Sequence, residues 1–267
     1  MKIGALIPVR LGSERLPRKH LKEIQGKPVL HYLLERLYSS KYIDPENVIV
    51  CTTMESENDE LLDIVSQYGA KVFRGSKDDI IERFYQAVNL YNFEIIAEIC
   101  GDDPCFDPGY LDLCFEKLLS DSSLDIVYST GLPVGASSAV FRKQALDIVY
   151  RSYTTSKNDT GYMWYFTKTG LCNVFEVRPV SDEDVDNEAR LTLDYVEDFE
   201  LINSLFEKLY LPGKIFSVRE IVSLFKSEPQ LRAINSNLKA QYIARTNELA
   251  QLEFRKNGMI QTIKVDV

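Results

Sequence analysis

The sequence predicts an α/β fold built on a doubly wound, mostly parallel sheet. Short apolar runs rich in β-branched residues alternate with amphipathic stretches through the first half of the chain, the pattern of βαβ units. At 267 residues, 45% of them hydrophobic, the chain can bury one sizeable core. Turn residues punctuate the alternation: Pro28 suits a first helical turn and Gly69 a helix end.

In chain order, strands are expected at Ile3 to Val9, Val48 to Thr53, Lys71 to Arg74, Glu94 to Ile99 and Asp125 to Ser129. Helices are expected between them, at Pro28 to Ser39, Asn58 to Tyr68, Asp79 to Tyr91 and Pro108 to Leu119. In such a sheet, ligands bind at the carboxyl ends of the strands. The second half alternates less regularly. Strands are expected at Ala139 to Phe141, Asn173 to Val177 and Ala189 to Leu193, and helices at Lys143 to Tyr150, Asp159 to Thr167 and Val196 to Tyr210. Pro212-Gly213 breaks the chain, and Val218 to Phe225 and Leu238 to Arg255 read as helices. The expected organisation is therefore one domain over residues 1–210, with an insertion near 131–180, and a helical extension over 211–267.

Charge and composition exclude several classes. A net charge of -9 argues against nucleic acid and anionic membrane partners, which select basic surfaces. No stretch approaches the roughly 20 apolar residues that span a bilayer. The opening apolar run is too short for a secretory signal. Cys51, Cys100, Cys105, Cys114 and Cys172 form no CxxC pair and read as buried free thiols, which suits the cytoplasm. With only His20 and His31, histidine metal sites and histidine triads are disfavoured, so carboxylates and cations must carry any chemistry.

The segment after the first strand, Arg10-Leu-Gly-Ser-Glu-Arg-Leu-Pro-Arg-Lys19, holds four cations in ten residues, and Gly12 permits close backbone approach. Such a loop at the carboxyl end of a strand is placed to hold a triphosphate on backbone N–H groups and fixed positive charge. It is not a Walker A loop, and on charge alone it reads equally well as a solvated basic loop.

The residues of this loop carry a resemblance. IPVRLGSERLPRKHL followed by IQGKPVLHYLLERL resembles the opening of the cytidylyltransferases that make CMP-activated 3-deoxy-ulosonic acids: CMP-Kdo synthetase, acylneuraminate cytidylyltransferase and the SpsF-like branch. The pattern R-x-G-S-x-R-L-P-x-K then G-K-P is matched by Arg10, Gly12, Ser13, Arg15, Leu16, Pro17, Lys19, Gly26, Lys27 and Pro28. The resemblance implies a Rossmann-like, GT-A-like nucleotidyltransferase that binds CTP, with Arg15, Lys19 and Arg10 on the triphosphate and Lys19 neutralising charge in the transition state. Lys27 serves either the phosphates or the turn before the helix. VFRGSKDD and Arg83 resemble the SpsF-like segment beside the nucleotide, which makes Arg74, Ser76, Asp79 and Arg83 candidates for base or ribose contacts, although an acid here caps a helix equally well.

Two acids complete the constellation. The run Ile95 to Cys100 ends in Gly101-Asp102-Asp103-Pro104, which puts hard oxygen ligands suited to Mg²⁺ at a strand end. Asp102 matches the family's G-D-x-P element, whereas Asp103 reads as the cap of the helix near Pro108. Asp194, in LDYVED, looks like the family's second magnesium ligand, although an acid before a helix also reads as an N-cap. Together they would grip one Mg²⁺ on the phosphates.

The resemblance thins between Gly131 and Trp164, the stretch expected to face the acceptor. Ser137, Ser138, Tyr162 and Trp164 are candidates there, because hydroxyls and aromatic faces suit a polyol, but both aromatics read equally as core. The implied activity is transfer of CMP from CTP to an acidic sugar of the 3-deoxy-ulosonic type for surface polysaccharide, by a homodimer. Rivals are a nucleotidyltransferase acting on a sugar phosphate, polyol phosphate or phosphonate, and a catalytically silent nucleotide-binding scaffold. A glycosyltransferase is disfavoured, because Asp102-Asp103-Pro104 is not a D-x-D element.

Overall fold

The computed structural model describes residues 1–155, 157–158 and 160–265, apart from the Leu249 side chain. Its first half follows the expected alternation. β1 (Ile3–Pro8) leads through a small hairpin, β2 (Glu23–Ile24) and β3 (Lys27–Pro28), into α1 (Val29–Tyr38). Then come β4 (Val48–Thr53), α2 (Glu60–Gln67), β5 (Lys71–Gly75), α3 (Ile80–Tyr91), β6 (Ile95–Glu98) and α4 (Pro108–Ser120). The second half adds β7 (Ile126–Ser129), β8 (Ala139–Arg142), α5 (Lys143–Ser152), a short α6 (Trp164–Thr167), β9 (Val174–Val177) and α7 (Val196–Leu209). Beyond it lie α8 (Val218–Ser227), α9 (Pro229–Ala233), α10 (Leu238–Leu249) and the strands β10 (Gln251–Lys256) and β11 (Met259–Lys264).

Seven strands form one sheet in the order β5-β4-β1-β6-β8-β7-β9. All neighbours are parallel except β8, which runs antiparallel to β6 and β7. From β1 the chain moves one way to β4 and β5, then crosses to the other side of β1 for β6. The direction of winding therefore reverses between β1 and β6, where the loops diverge and open a crevice at the carboxyl ends. Both faces of the sheet are covered, which is why its strands are apolar without alternation. Ala5, Ile7 and Val9 pack with Leu34 and Phe115 on one face, and Leu6 packs with Ile81, Phe84 and Phe141 on the other.

Four expectations are corrected. The helix cap near Pro108 is Asp107, whose Oδ1 accepts from Gly109 N at 2.8 Å, and not Asp103. Ala189 to Leu193 forms no strand but makes one bridge, Val134 to Arg190, because loops rather than strands flank it. Its apolar side chains are still buried. The helix expected from Asp159, a residue outside those described, is reduced to α6, since Gly161 sits at φ 74° in the left-handed region. The helix expected to run to Arg255 ends at Leu249. The chain then turns through Asn257-Gly258, at φ 53° and 78°, to form the β10-β11 hairpin. Leu252 and Phe254 of that hairpin are buried against the face holding α3 and α5.

Candidate active site

The loop after β1 is pinned at several points before it reaches the crevice. Val9 N donates to Cys51 O at 3.0 Å, and Asn58 Oδ1 accepts from Leu11 N at 2.9 Å. Arg18 N returns to Leu11 O at 3.1 Å, closing the loop on itself. Arg18 takes a left-handed φ of 57°, after which Lys19 enters a short 3-10 turn with its side chain directed inward. At Gly12 any Cβ would lie 2.3 Å from Glu57 Oε1.

Lys19 is the centre of the site. It is only 7% exposed, and its Nζ donates to Asp102 Oδ2 at 2.9 Å and to Asp194 Oδ1 at 3.0 Å. Asp102 arrives on the loop leaving β6. Asp194 arrives at the start of α7, on the extended segment whose Leu193 N donates to Asp102 O at 2.7 Å. Two residues separated by more than ninety positions are thus tied by backbone and side chain at the point where the winding reverses.

Asp194 is held from three sides. Its Oδ1 also accepts from Arg15 Nη2 at 2.7 Å, and its Oδ2 from Arg190 Nη2 at 2.9 Å. Arg15 lies over the Tyr195 ring at 4.8 Å. Arg190 in turn is paired twice with the fully buried Asp198, at 3.1 Å for each bond. Asp198 accepts further from the backbone N–H of Asp194 and Tyr195 and from Asn235 Nδ2. The Arg190 guanidinium is roofed by the Tyr242 ring of α10 at 4.5 Å.

These contacts set the charges. Burial alone would lower the Lys19 pKa, but Asp102 and Asp194 outweigh it and the ammonium is held above its ordinary value. Burial would raise Asp194, yet Lys19, Arg15 and Arg190 bring it below the usual carboxylate range. Asp103 behaves oppositely. Its burial, reinforced by neighbouring Asp102, pushes its carboxyl well above the usual range, and among the described residues its Oδ1 has no hydrogen-bond partner. His20, next to Lys19, is driven down to about 3 by burial and by that ammonium, and so stays neutral. Beneath this layer Glu98, at the end of β6, is pushed up to about 7 by burial and accepts a hydrogen bond from Tyr162.

A family model described as cytidylyltransferase matches residues 4–209. The chain belongs to the cytidylyltransferase family. The structure of a cytidylyltransferase from Leptospira borgpetersenii superposes with a TM-score of 0.77 at 31% identity, covering 86% of this chain and 96% of that one. The spore coat polysaccharide biosynthesis protein SpsF of Bacillus subtilis is 27% identical over 236 residues, 84% of this chain and 94% of the relative. A structure of the CMP:2-keto-3-deoxy-manno-octonic acid synthetase complexed with CTP shares the fold, with a TM-score of 0.60 at 16% identity, covering 79% of this chain and 100% of that one. The fold is the Rossmann-like one of nucleotidyltransferases.

Of the residues singled out in this cytidylyltransferase from sequence, the structure bonds Arg15, Lys19, Asp102 and Asp194 into one network. Arg10 and Gly12 are exposed and Ser13 half-buried on the same loop. Lys27 stands apart from that network, beside His31 Nε2 at 3.1 Å and near the Tyr210 ring. Arg74, a candidate for base or ribose contacts, clamps the chain after β4: it donates to the carbonyls of Thr53, Met54 and Glu55 and pairs with Asp59. Arg83 is buried and binds the carbonyls of Ser76 and Lys77, which shapes the loop after β5. Asp79 caps α3, accepting from Glu82 N at 2.9 Å and from Tyr153 and Asn158, and Ser76 Oγ accepts from Asp79 N. Together these four shape the segments after β4 and β5, their polar atoms satisfied by backbone and side-chain partners.

Of the acceptor candidates, Ser138 is buried just before β8 and Ser137 is half-buried. Trp164 is half-buried and packs against the core, and Tyr162 is buried against Phe84 with its hydroxyl on Glu98. Sequence reasoning passed over Arg190, Asp198 and Asn235. The signal for the first two was an arginine inside the apolar run Ala189 to Leu193, which must find acids when buried. Asn235 had no local signal, since its partners lie 37 and 45 residues away.

Proposed function

We propose that the chain transfers CMP from CTP to an acidic sugar of the 3-deoxy-ulosonic type, with release of pyrophosphate and with Mg²⁺ as cofactor. The observation that carries this reading is the single ammonium of Lys19 bonded to both Asp102 and Asp194, with Arg15 alongside, at the carboxyl ends where the winding reverses. A silent scaffold has no need of that constellation.

The acceptor hydroxyl attacks the α-phosphorus in line. A new P–O bond forms as the bond to the β-phosphate oxygen breaks, and the hydroxyl proton is released. Lys19 and Arg15 lie where charge accumulates on the phosphates, and their fixed positions mean that little reorganisation accompanies the reaction. Arg190 and Asp198 keep Asp194 in place and ionised.

The donor set fits a hard cation. Asp102 and Asp194 present carboxylates within 3.0 Å of one nitrogen, and the unpartnered Asp103 Oδ1 lies in the same loop. When bound there, Mg²⁺ supplies Lewis-acid neutralisation of phosphate charge. Similarity to the Bacillus subtilis spore coat polysaccharide biosynthesis protein supports a role in surface polysaccharide, and five free cysteines suit a reducing cytoplasm.

Pyrophosphate release, measured with each of the four nucleoside triphosphates against a panel of ulosonic acids and sugar phosphates, tests the reading. Release with CTP and an ulosonic acid is expected. Turnover confined to phosphate-bearing acceptors would overturn the acceptor class, and no turnover with any pair would overturn the transferase.

A further inference from the structure

The family match ends at residue 209, yet α10 lies far beyond it and packs directly on the catalytic layer. Tyr242 covers Arg190, the anchor of Asp194. The neighbouring face of the helix does not pack. Gln241, Ala244, Arg245 and Glu248 recur at helical spacing, so they project together. With Arg15 and Tyr195 they line a cavity of about 350 Å³.

That volume lies within the range of small-ligand pockets, roughly 300–1,000 Å³. Arg15, already tied to Asp194, shares this lining with α10. Arg245 and Glu248 are exposed, and neither forms an ion pair or side-chain hydrogen bond with any described residue. Amide, phenol and guanidinium groups around an open volume suit a hydroxylated anion, whose charge a planar arginine fork binds in two places.

We propose that α10 forms one wall of the acceptor pocket and that Arg245 binds the acceptor's anionic group, a carboxylate or a phosphate. This rests on the cytidylyltransfer reading and adds to it a specificity-determining residue outside the family region. Glu248 lines the same cavity and opposes any anion there, so it limits affinity and disfavours more highly charged acceptors.

Calorimetric titration of the full chain in Mg²⁺, with and without CMP, tests the site using 3-deoxy-manno-octulosonate and glucose 1-phosphate as probes, with CTP titrated separately. The expected result is binding of one probe that weakens about ten-fold or more in R245A, with CTP affinity unchanged. The probe that responds identifies the anion. E248Q should tighten the same probe several-fold. Equal probe binding by wild type and R245A, or no binding of either probe to wild type, overturns the proposal, as does unchanged or weaker binding in E248Q. A parallel loss of CTP affinity in R245A reassigns the residue to the nucleotide and also overturns it. Failure of the function reading is separately visible: wild type would neither bind CTP nor release pyrophosphate, while probe binding by Arg245 would still be read in the absence of CMP.

Discussion

Replacing Glu98 by Gln should flatten the pH dependence of stability. Glu98 ends β6, just before the loop that carries Asp102, and burial raises its pKa from 4.5 to about 7. Below about pH 4.5 it is protonated in folded and unfolded chains alike and does not affect the balance. As pH rises from 4.5 towards 7, the unfolded chain releases a proton that the folded chain keeps, so stability falls. Above about 7 the loss is complete. Each pH unit in that window is worth about 1.4 kcal/mol, so the buried carboxyl costs the fold roughly 3 kcal/mol at pH 8. Gln keeps a carbonyl oxygen for the Tyr162 hydroxyl and cannot ionise. Urea unfolding at pH 4.5 and pH 8 measures the difference. E98Q should match wild type at the lower pH and exceed it by roughly 3 kcal/mol at the higher. A difference between the two proteins that is the same at both pH values would refute the argument, because it would mean that Glu98 ionises in the fold as easily as out of it.

Lys19→Met should lower kcat by about 10²–10³, because it removes a preorganised cation from the phosphates; Asp194 keeps Arg15 and Arg190, so the melting transition should stay cooperative, and a kcat within two-fold of wild type would contradict the assignment. Asp198→Asn removes the charge facing buried Arg190 and should cost about 3–5 kcal/mol in denaturant unfolding; a cost below about 1 kcal/mol would mean that Arg190 is satisfied elsewhere. Gly135→Ala places a Cβ 2.5 Å from Thr192 N, at a φ of 90°, and must displace the segment that carries Asp194. Pyrophosphate release should fall at least about ten-fold, with a stability loss of about 1–3 kcal/mol, and wild-type turnover would show that the segment moves without consequence.

The βαβ half of the molecule was legible because its signals are local. Strands buried on both faces read as continuous apolar runs, and the helices between them carry an apolar face at fixed spacing. The C-terminal hairpin was missed: Asn257-Gly258 is a two-residue hairpin turn signal, but the apolar spacing before it reads as helix up to Arg255. The segment Ala189 to Leu193 has a strand's composition and no strand's neighbours. Pairing is a property of two segments, so composition alone did not decide it.

The sequence by itself determined the fold class, the family and the four residues that meet at the centre of the site: Arg15, Lys19, Asp102 and Asp194. Motifs preserve residue type and spacing, and those are local quantities. Only the tertiary structure decided what those residues touch. It showed that Arg74, Asp79 and Arg83 also hold the backbone of the segments around them, since polar groups drawn into the fold need partners. It also added Arg190, Asp198 and Asn235 behind Asp194, and brought α10 from beyond the family region to the edge of the catalytic layer. Such contacts join positions tens of residues apart, and the packing that closes them is a property of the whole chain.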